Sequence, residues 1–275
     1  MILTKLAIAL SLFATGNNIV TPPPKGYKLV WADEFNKNGM VDTSVWQFEN
    51  GFVRNHELQW YQPQNAWCEN GKLVIEARRE TKPNPLFKQG SNSWRENRKT
   101  IGYTSASINT KESKTWKYGR FEIRAKIIAK PGLWPAIWTL GELGEWPRNG
   151  EIDIMEYYKG DILANVATGT SERYKAKWFS TKKPYTSFND PDWDKKFHIW
   201  RMDWDEQHIK LYVDDLLLNE VRLSDALNPD GSNPFRQPHY LLLNLAIGGD
   251  NGGDPSGTAF PSRYEVDYVR VYRKK

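Results

Sequence analysis

Short runs of alternating apolar and polar residues follow one another along most of the chain, separated by turn-forming residues. Alternation with a period of two is typical of strands that bury one face. Few segments have the period of an amphipathic helix, although Ser224 to Leu227 fits one short helical turn. The clearest strand patterns are Leu73 to Ala77, Tyr118 to Ile128, Trp134 to Leu140, Phe197 to Trp204, His208 to Val213 and Tyr264 to Tyr272. With a hairpin turn at Val213 to Leu216, this spacing predicts an all-β fold, a β-sandwich of many antiparallel strands.

One further strand pattern, Gly150 to Tyr158, contains three carboxylates within six residues. On a regular strand Glu151 and Asp153 share one face, whereas Glu156 points to the other. A β-bulge at or near Met155 would add one residue and bring Glu156 onto the same face. The alternative is a polar strand face that is turned to water, and the pattern taken alone favours that alternative.

Carboxylates grouped in this way suit hydrolysis of a glycosidic bond by double displacement. One carboxylate must be ionised to attack the anomeric carbon, and another must be protonated to assist the leaving oxygen. Repulsion between neighbouring carboxylates keeps at least one of them protonated near neutral pH. We therefore assign Glu151 as the nucleophile and Glu156 as the acid/base. Asp153 is then the group that shares a hydrogen bond or a proton with Glu151.

Aromatic residues are unusually frequent, with 13 Trp, 13 Tyr and 11 Phe. Core packing explains many of them, and we expect Trp46, Trp200 and Trp204 in the core. Trp134 and Trp138 lie just upstream of the acidic strand and are the leading candidates for a platform on which sugar rings stack. The same composition is compatible with single-stranded nucleic acid. The acidic strand would repel phosphates, so we expect no nucleic-acid partner.

The first residues have the pattern of a secretory signal peptide over 1–20, with Lys5, an apolar run and small residues before a cleavage site. Residues 21–26 contain three consecutive prolines and are interpreted as a linker, which leaves 27–275 as the catalytic domain. The apolar run is too short to span a bilayer, and no cysteine follows it to accept a lipid. We expect an exported monomer, in the periplasm, on the cell surface or in the medium, without a transmembrane segment or a lipid anchor.

Other candidates for chemistry are few. Cys68 is the only cysteine, so no intrachain disulfide forms, and we expect it to be a packed core thiol. The net charge of +5 comes from scattered cations, except in the basic loop from Lys82 to Lys99. That loop is interpreted as solvated, with non-specific anion binding as the less favoured alternative. We expect a structural role for His198, whereas His56 lies in a polar aromatic loop and is a candidate for contact with the substrate.

Several short motifs occur in a fixed order: Trp31 to Phe35, Tyr118 to Lys126, Gly132 to Trp138, Gly150 to Glu156, Phe197 to His198, Leu243 to Gly249 and Val266 to Tyr272. Together they resemble glycoside hydrolase family 16, in its laminarinase and mixed-linkage β-glucanase branch. The resemblance extends from about Leu29 to Tyr272. Met155 matches an extra residue of this branch that bacillary lichenases lack.

The resemblance implies a concanavalin A-like jelly roll of two curved antiparallel sheets, with a cleft across the concave sheet. It implies endo-acting, retaining hydrolysis of β-1,3-glucan or mixed-linkage β-1,3/1,4-glucan, with no cofactor in catalysis and with the carboxylate roles given above. The cleft residues that it implies are Asn55, Glu57, Arg120, Trp134, Trp138 and Asn244. It also implies a structural calcium, held by Glu34, a backbone carbonyl near Gly71 and Asp267.

One departure from the family concerns Asn165, which stands where many laminarinases have a histidine that reaches the cleft. We interpret this as a change in the contacts to the sugar that favours mixed-linkage glucan, with Asn165 as the replacement. The alternative function is a non-catalytic, lectin-like jelly roll that binds β-glucan on its tryptophans. The three carboxylates favour the enzyme, because a binding module does not need them.

Overall fold

Two stacked β-sheets make up almost all of the computed structural model, which describes residues 22–275. The expected signal peptide and the first residue of the expected linker lie outside the described residues. The strands are β1 (Tyr27–Asp33), β2 (Gln47–Phe48), β3 (Gln59–Tyr61), β4 (Ala66–Glu69), β5 (Lys72–Pro83), β6 (Thr100–Ser105), β7 (Ser107–Asn109), β8 (Gly119–Lys126), β9 (Leu133–Gly141), β10 (Glu151–Tyr158), β11 (Asp161–Gly169), β12 (Ala176–Pro184), β13 (His198–Trp204), β14 (His208–Val213), β15 (Leu216–Arg222), β16 (His239–Ile247) and β17 (Ser262–Lys274). Single helical turns are Pro63–Asn65, Tyr185–Phe188, Trp193–Lys195, Leu223–Asp225, Pro234–Arg236 and Gly249–Gly252.

The larger sheet has the strand order β15-β14-β13-β8-β17-β5-β6-β3, with β1 paired to β17 and β4 paired to β5. The smaller sheet has the order β12-β11-β10-β9-β16-β7-β2. Pairing is antiparallel throughout except between β3 and β6. Strands that are distant in the sequence therefore lie side by side in both sheets. The all-β prediction, a jelly-roll sandwich of two sheets, is confirmed.

The strands predicted from alternation are all present. The range His208–Val213 has the predicted bounds, and the hairpin turn that follows it places Asp214 at φ 51°, a conformation that Asp tolerates better than most residues. The expected helical turn is the 3₁₀ turn Leu223–Asp225. Strand β12 was not expected, because its sequence has polar residues on both faces.

The core between the sheets is apolar, and Trp46 and Trp200 are completely buried in it. Cys68 is buried as predicted, and burial raises the pKa of its thiol to about 11, so it is not a reactive thiolate. His198 has a structural role, as expected. Its Nδ1 lies 2.8 Å from Asp214 Oδ2, and its Nε2 lies 2.9 Å from the Trp193 carbonyl oxygen.

The carboxylates that the resemblance assigns to calcium are engaged by arginines. Both oxygens of Glu34 accept hydrogen bonds from Arg270, at 2.7 and 2.9 Å, and Asp267 accepts one from Arg124 at 2.6 Å. Over residues 22–275, no three His, Cys, Asp or Glu side chains are grouped to hold a metal ion. Calcium takes about six to eight converging oxygens. The residues as placed do not fit that ion.

Candidate active site

Strand β10 contains an irregularity at its centre that places the carboxylates. Asp153 pairs with Trp138 of β9, and the next pair along is Met155 with Ile137, so Ile154 is an extra residue on this side. Towards β11 the register also shifts between Asp153 and the third residue after it. This is a β-bulge at the position that the spacing of the carboxylates predicted.

The bulge turns two consecutive side chains towards the core. Ile154 and Met155 are both completely buried there. The alternation of faces is therefore reset, and Glu151, Asp153 and Glu156 all line one cleft of about 890 Å³. The carboxylate that a regular strand would bury thus reaches the cleft.

The cleft lies across the smaller sheet. Six of the predicted substrate-binding residues line it: Asn55, Glu57, Trp134, Trp138, Asn165 and Asn244. No wide aromatic platform is formed by Trp134 and Trp138, because they are only 6% and 8% exposed. Their indole N–H groups are engaged within the protein, that of Trp138 by Asn244 Oδ1 at 2.7 Å. These two rings position polar groups as well as shaping the wall.

The remaining two residues that were predicted to bind substrate, Arg120 and His56, do not line the cleft. Arg120 lies on β8 in the larger sheet, where it forms two hydrogen bonds with Asp203 at 2.6 and 2.9 Å and covers the Tyr27 ring. The expectation that it contacts the substrate is wrong, because it belongs to the sheet that does not carry the cleft. The side chain of His56 is 60% exposed beside the cleft, with Nδ1 3.0 Å from Asp250 Oδ1.

Glu156 is held by two donors. Trp134 Nε1 donates to its Oε1 at 2.7 Å, and Asn165 Nδ2 donates to its Oε2 at 3.1 Å. Both donors favour the ionised form, but burial outweighs them and, with the charge of Glu151, raises the pKa of Glu156 to about 7. Near neutral pH this carboxyl is able both to give and to take a proton.

The pKa values of Glu151 and Asp153 are both raised by burial, that of Asp153 further than that of Glu151. Burial raises the pKa of Glu151, while hydrogen bonds from Trp146 and Asp153 lower it. Burial raises the pKa of Asp153 well above its usual range, and the charges of Glu156 and Glu151 add to this effect. The shared proton therefore resides on Asp153, which donates it to Glu151 in a hydrogen bond. Glu151 is left as the ionised group.

Trp146, Arg54 and Trp178 are among the cleft-lining residues that were missed from the sequence. Trp146 donates its indole N–H to Glu151 Oε2 at 2.5 Å. Arg54 lies over the Trp138 ring and is paired with Glu49. Trp178 is on β12 and is 45% exposed. The aromatic loop around Arg54 gave a signal for Arg54, but the turn that contains Trp146 and the sequence of β12 gave none.

A jelly-roll sheet with an ionised glutamate, a protonatable glutamate and an aspartic acid between them in one cleft defines a glycoside hydrolase. The chain belongs to glycosyl hydrolase family 16: the sequence profile described as Glycosyl hydrolases family 16 matches residues 54–270. Within that family it groups with the laminarinases and endo-β-1,3(4)-glucanases.

Its relatives in sequence include a beta-glucanase from Rhodothermus marinus, which is 38% identical over 265 residues and is covered to 85% of its length by 90% of this chain. Glucan endo-1,3-beta-glucosidase A1 from Niallia circulans is 34% identical over 278 residues. That match covers 92% of this chain, but the chain spans only 39% of the relative.

Solved structures agree with this assignment. The laminarinase catalytic domain of Thermotoga maritima superposes with a TM-score of 0.75 at 34% identity, covering 91% of this chain and 100% of that one. A structure from work on endo-acting O-glycanases of the human gut microbiota, which initiate mucin breakdown, superposes with a TM-score of 0.82 at 36% identity. It covers 92% of this chain and 94% of that chain.

Proposed function

We propose that the protein is an endo-acting, retaining β-glucanase that cleaves β-1,3-glucan, mixed-linkage β-1,3/1,4-glucan, or both. The observation that supports this most directly is the bulged strand β10, which presents Glu151, Asp153 and Glu156 to one cleft with different protonation preferences. A lectin-like binding module would have no use for that difference, and this alternative is not favoured.

In the first step Glu151 attacks the anomeric carbon, and Glu156 transfers its proton to the glycosidic oxygen as the bond breaks. The hydrogen bond from Asp153 fixes the orientation of the Glu151 carboxylate before the attack. The covalent bond consumes the negative charge of Glu151. Because the charge of Glu151 no longer raises the pKa of Glu156, this pKa falls, and Glu156 stays ionised after it has given up its proton.

In the second step Glu156 removes a proton from water, which attacks the anomeric carbon and releases Glu151. Two inversions at one carbon give net retention of configuration. Since the pKa of Glu156 is about 7, it can serve as acid in one step and as base in the next at near-neutral pH.

The names of the relatives support a β-glucan substrate, since the two curated proteins above are a beta-glucanase and a glucan endo-1,3-beta-glucosidase. We include export in this proposal, because a glucan polymer is too large to enter the cell before it is cleaved. It rests on the pattern of residues 1–20. In the described part of the chain, no helix has the length and hydropathy needed to cross a bilayer.

The test is release of reducing sugar from laminarin, lichenan and barley β-glucan by the parent protein and by Glu151→Ser. We expect the variant to lose hydrolysis of every polymer that the parent cleaves. Glu142→Ser is the matched control, because Glu142 is an exposed glutamate on the turn that precedes β10. Unchanged hydrolysis in Glu151→Ser would remove Glu151 from the role of nucleophile. NMR of the first products should show a retained anomeric configuration.

A second candidate function is endo-acting cleavage of O-glycans. It is favoured by one observation: the O-glycanase structure superposes with a higher TM-score, 0.82, than the laminarinase domain at 0.75. Incubation with mucin O-glycans beside laminarin distinguishes the two activities. Glu151→Ser should abolish either one, because both would use the same three carboxylates.

A further inference from the structure

Strand β12 forms an open wall of the cleft. Trp178, Ser180 and Lys182 alternate onto its cleft side, and all three are exposed. Trp178 is 45% exposed, in contrast to the nearly buried indoles of β9. An indole face that water reaches inside a sugar-binding cleft is available for stacking on a pyranose ring.

The register of the strands aligns this wall with the carboxylates. Ala167 of β11 pairs with Glu151 on one side and with Trp178 on the other. Only a methyl group separates the two side chains, and two strand spacings place their backbones about 10 Å apart. Leu163 joins Glu156 to Lys182 in the same way. The wall therefore faces a sugar close to the bond that is cleaved.

Three cationic side chains line the cleft, those of Arg54, Arg95 and Lys182, and only the first has an acidic partner. Arg54 is paired with Glu49. In the described part of the chain, the side chain of Lys182 has no carboxylate within 4.0 Å and no hydrogen-bond partner. Arg95, on the far wall, bonds only to the backbone carbonyls of residues 52 and 53. Two cations without acidic partners thus face the cavity, one on each side of the carboxylates.

We propose that the β12 wall is a specificity subsite, which stacks a sugar ring on Trp178 and binds an acidic substituent, a sulfate ester or a carboxylate, at Lys182. This rests on the proposed function and names its substrate class: β-linked glycans with acidic groups next to the cleaved bond. A charged donor bonds an anionic oxygen more strongly than a hydroxyl. Neutral glycans use the same wall through Trp178 alone.

The experiment compares kcat/KM on two matched pairs of polymers: carboxymethylated laminarin with laminarin, and keratan sulfate with chemically desulfated keratan. Lys182→Gln should lower kcat/KM on the acidic member about tenfold and leave the neutral member unchanged. Lys183→Gln is the matched control, since Lys183 is the next residue on β12 and lies over the Phe188 ring. Trp178→Ala should lower both members by about tenfold.

If Lys182→Gln lowers kcat/KM selectively on the acidic polymer in the carboxymethylated pair alone, the subsite binds carboxylates. If it does so in the keratan pair alone, the subsite binds sulfate esters. About 0.5 M NaCl should remove the preference of the parent protein for the acidic member. An equal effect of Lys182→Gln on acidic and neutral polymers overturns the proposal. If the parent cleaves none of the four polymers and neither lichenan nor barley β-glucan, the β-glucanase proposal fails by itself. In that case the subsite is tested by electrophoresis of the protein in gels that contain each polymer. Lys182→Gln must then lose the retardation caused by the acidic polymers and keep the retardation caused by the neutral polymers.

Discussion

The indole N–H of Trp146 donates a hydrogen bond to Oε2 of Glu151 at 2.5 Å. Such a donor stabilises the carboxylate more than the neutral acid, and so it opposes the effect of burial on the pKa of Glu151. This hydrogen bond, from a side chain outside β10, favours the ionised form in which Glu151 must attack.

Replacing Trp146 with Phe keeps most of the ring and removes the donor. The pKa of Glu151 should rise, and the acidic limb of the pH profile of kcat/KM should move up by about one unit. The measurement is the profile between about pH 4 and pH 9. The basic limb serves as the internal control, since it belongs to Glu156. An acidic limb that stays in place would show that this hydrogen bond does not tune the nucleophile.

The basic limb reports on Glu156. Because its pKa is about 7 and it must donate a proton, kcat/KM should fall as the pH rises through about 7. Trp134→Phe removes a donor that lowers this pKa, so the limb should move to higher pH. Glu156→Gln should abolish the limb and reduce hydrolysis of polymer by about a hundredfold or more. Persistence of the limb in Glu156→Gln would assign it to another group.

The raised pKa also has a consequence for stability. Folding raises the pKa of Glu156 from 4.5 to about 7, so the folded state binds the proton more tightly. Its contribution is fully present below about pH 4.5 and is lost as the pH rises through about 7. Glu156→Gln should therefore raise the free energy of unfolding at about pH 8 by about 3 kcal/mol, and change it little at about pH 4. Urea unfolding at both pH values measures this, and an equal change at both would contradict it.

Deleting Met155 tests the bulge itself. A regular β10 would turn the side chain of Glu156 towards the core, so the variant should lose activity about a hundredfold or more and be less stable. Met155→Leu is the control, because a volume-conserving change in the core costs less than about 1.5 kcal/mol. Thermal unfolding and the pH profile are measured for both. A deletion variant that keeps the basic limb would show that Glu156 reaches the cleft without the bulge.

Local pattern carried most of what the sequence could predict. Alternation predicts strands with one buried face, and the spacing of the carboxylates in β10 indicated where one extra residue would bring Glu156 onto the face of Glu151 and Asp153. Arg120 was misplaced because which sheet a strand joins depends on its neighbours, and β8 lies between β13 and β17 in the larger sheet. That order brings together segments far apart in sequence.

Partners from distant segments also explain the other differences. The calcium set did not fit, because Arg270 and Arg124 lie beside Glu34 and Asp267 only after the strands pair. Trp178 was overlooked because β12 has one face towards the cleft and no strong apolar pattern. Exposure inside a cleft is a property of the assembled sheet.

Because of the bulge, the number of residues in β10 decides which face of the sheet each later side chain of the strand points to. Any side chain at position 154 or 155 that packs in the core leaves Glu156 on the same side. One insertion or deletion, however, exchanges the faces of everything that follows in β10. Variant libraries made by substitution alone therefore keep the catalytic arrangement while they alter the walls, and only libraries that change the length of the chain explore a different arrangement.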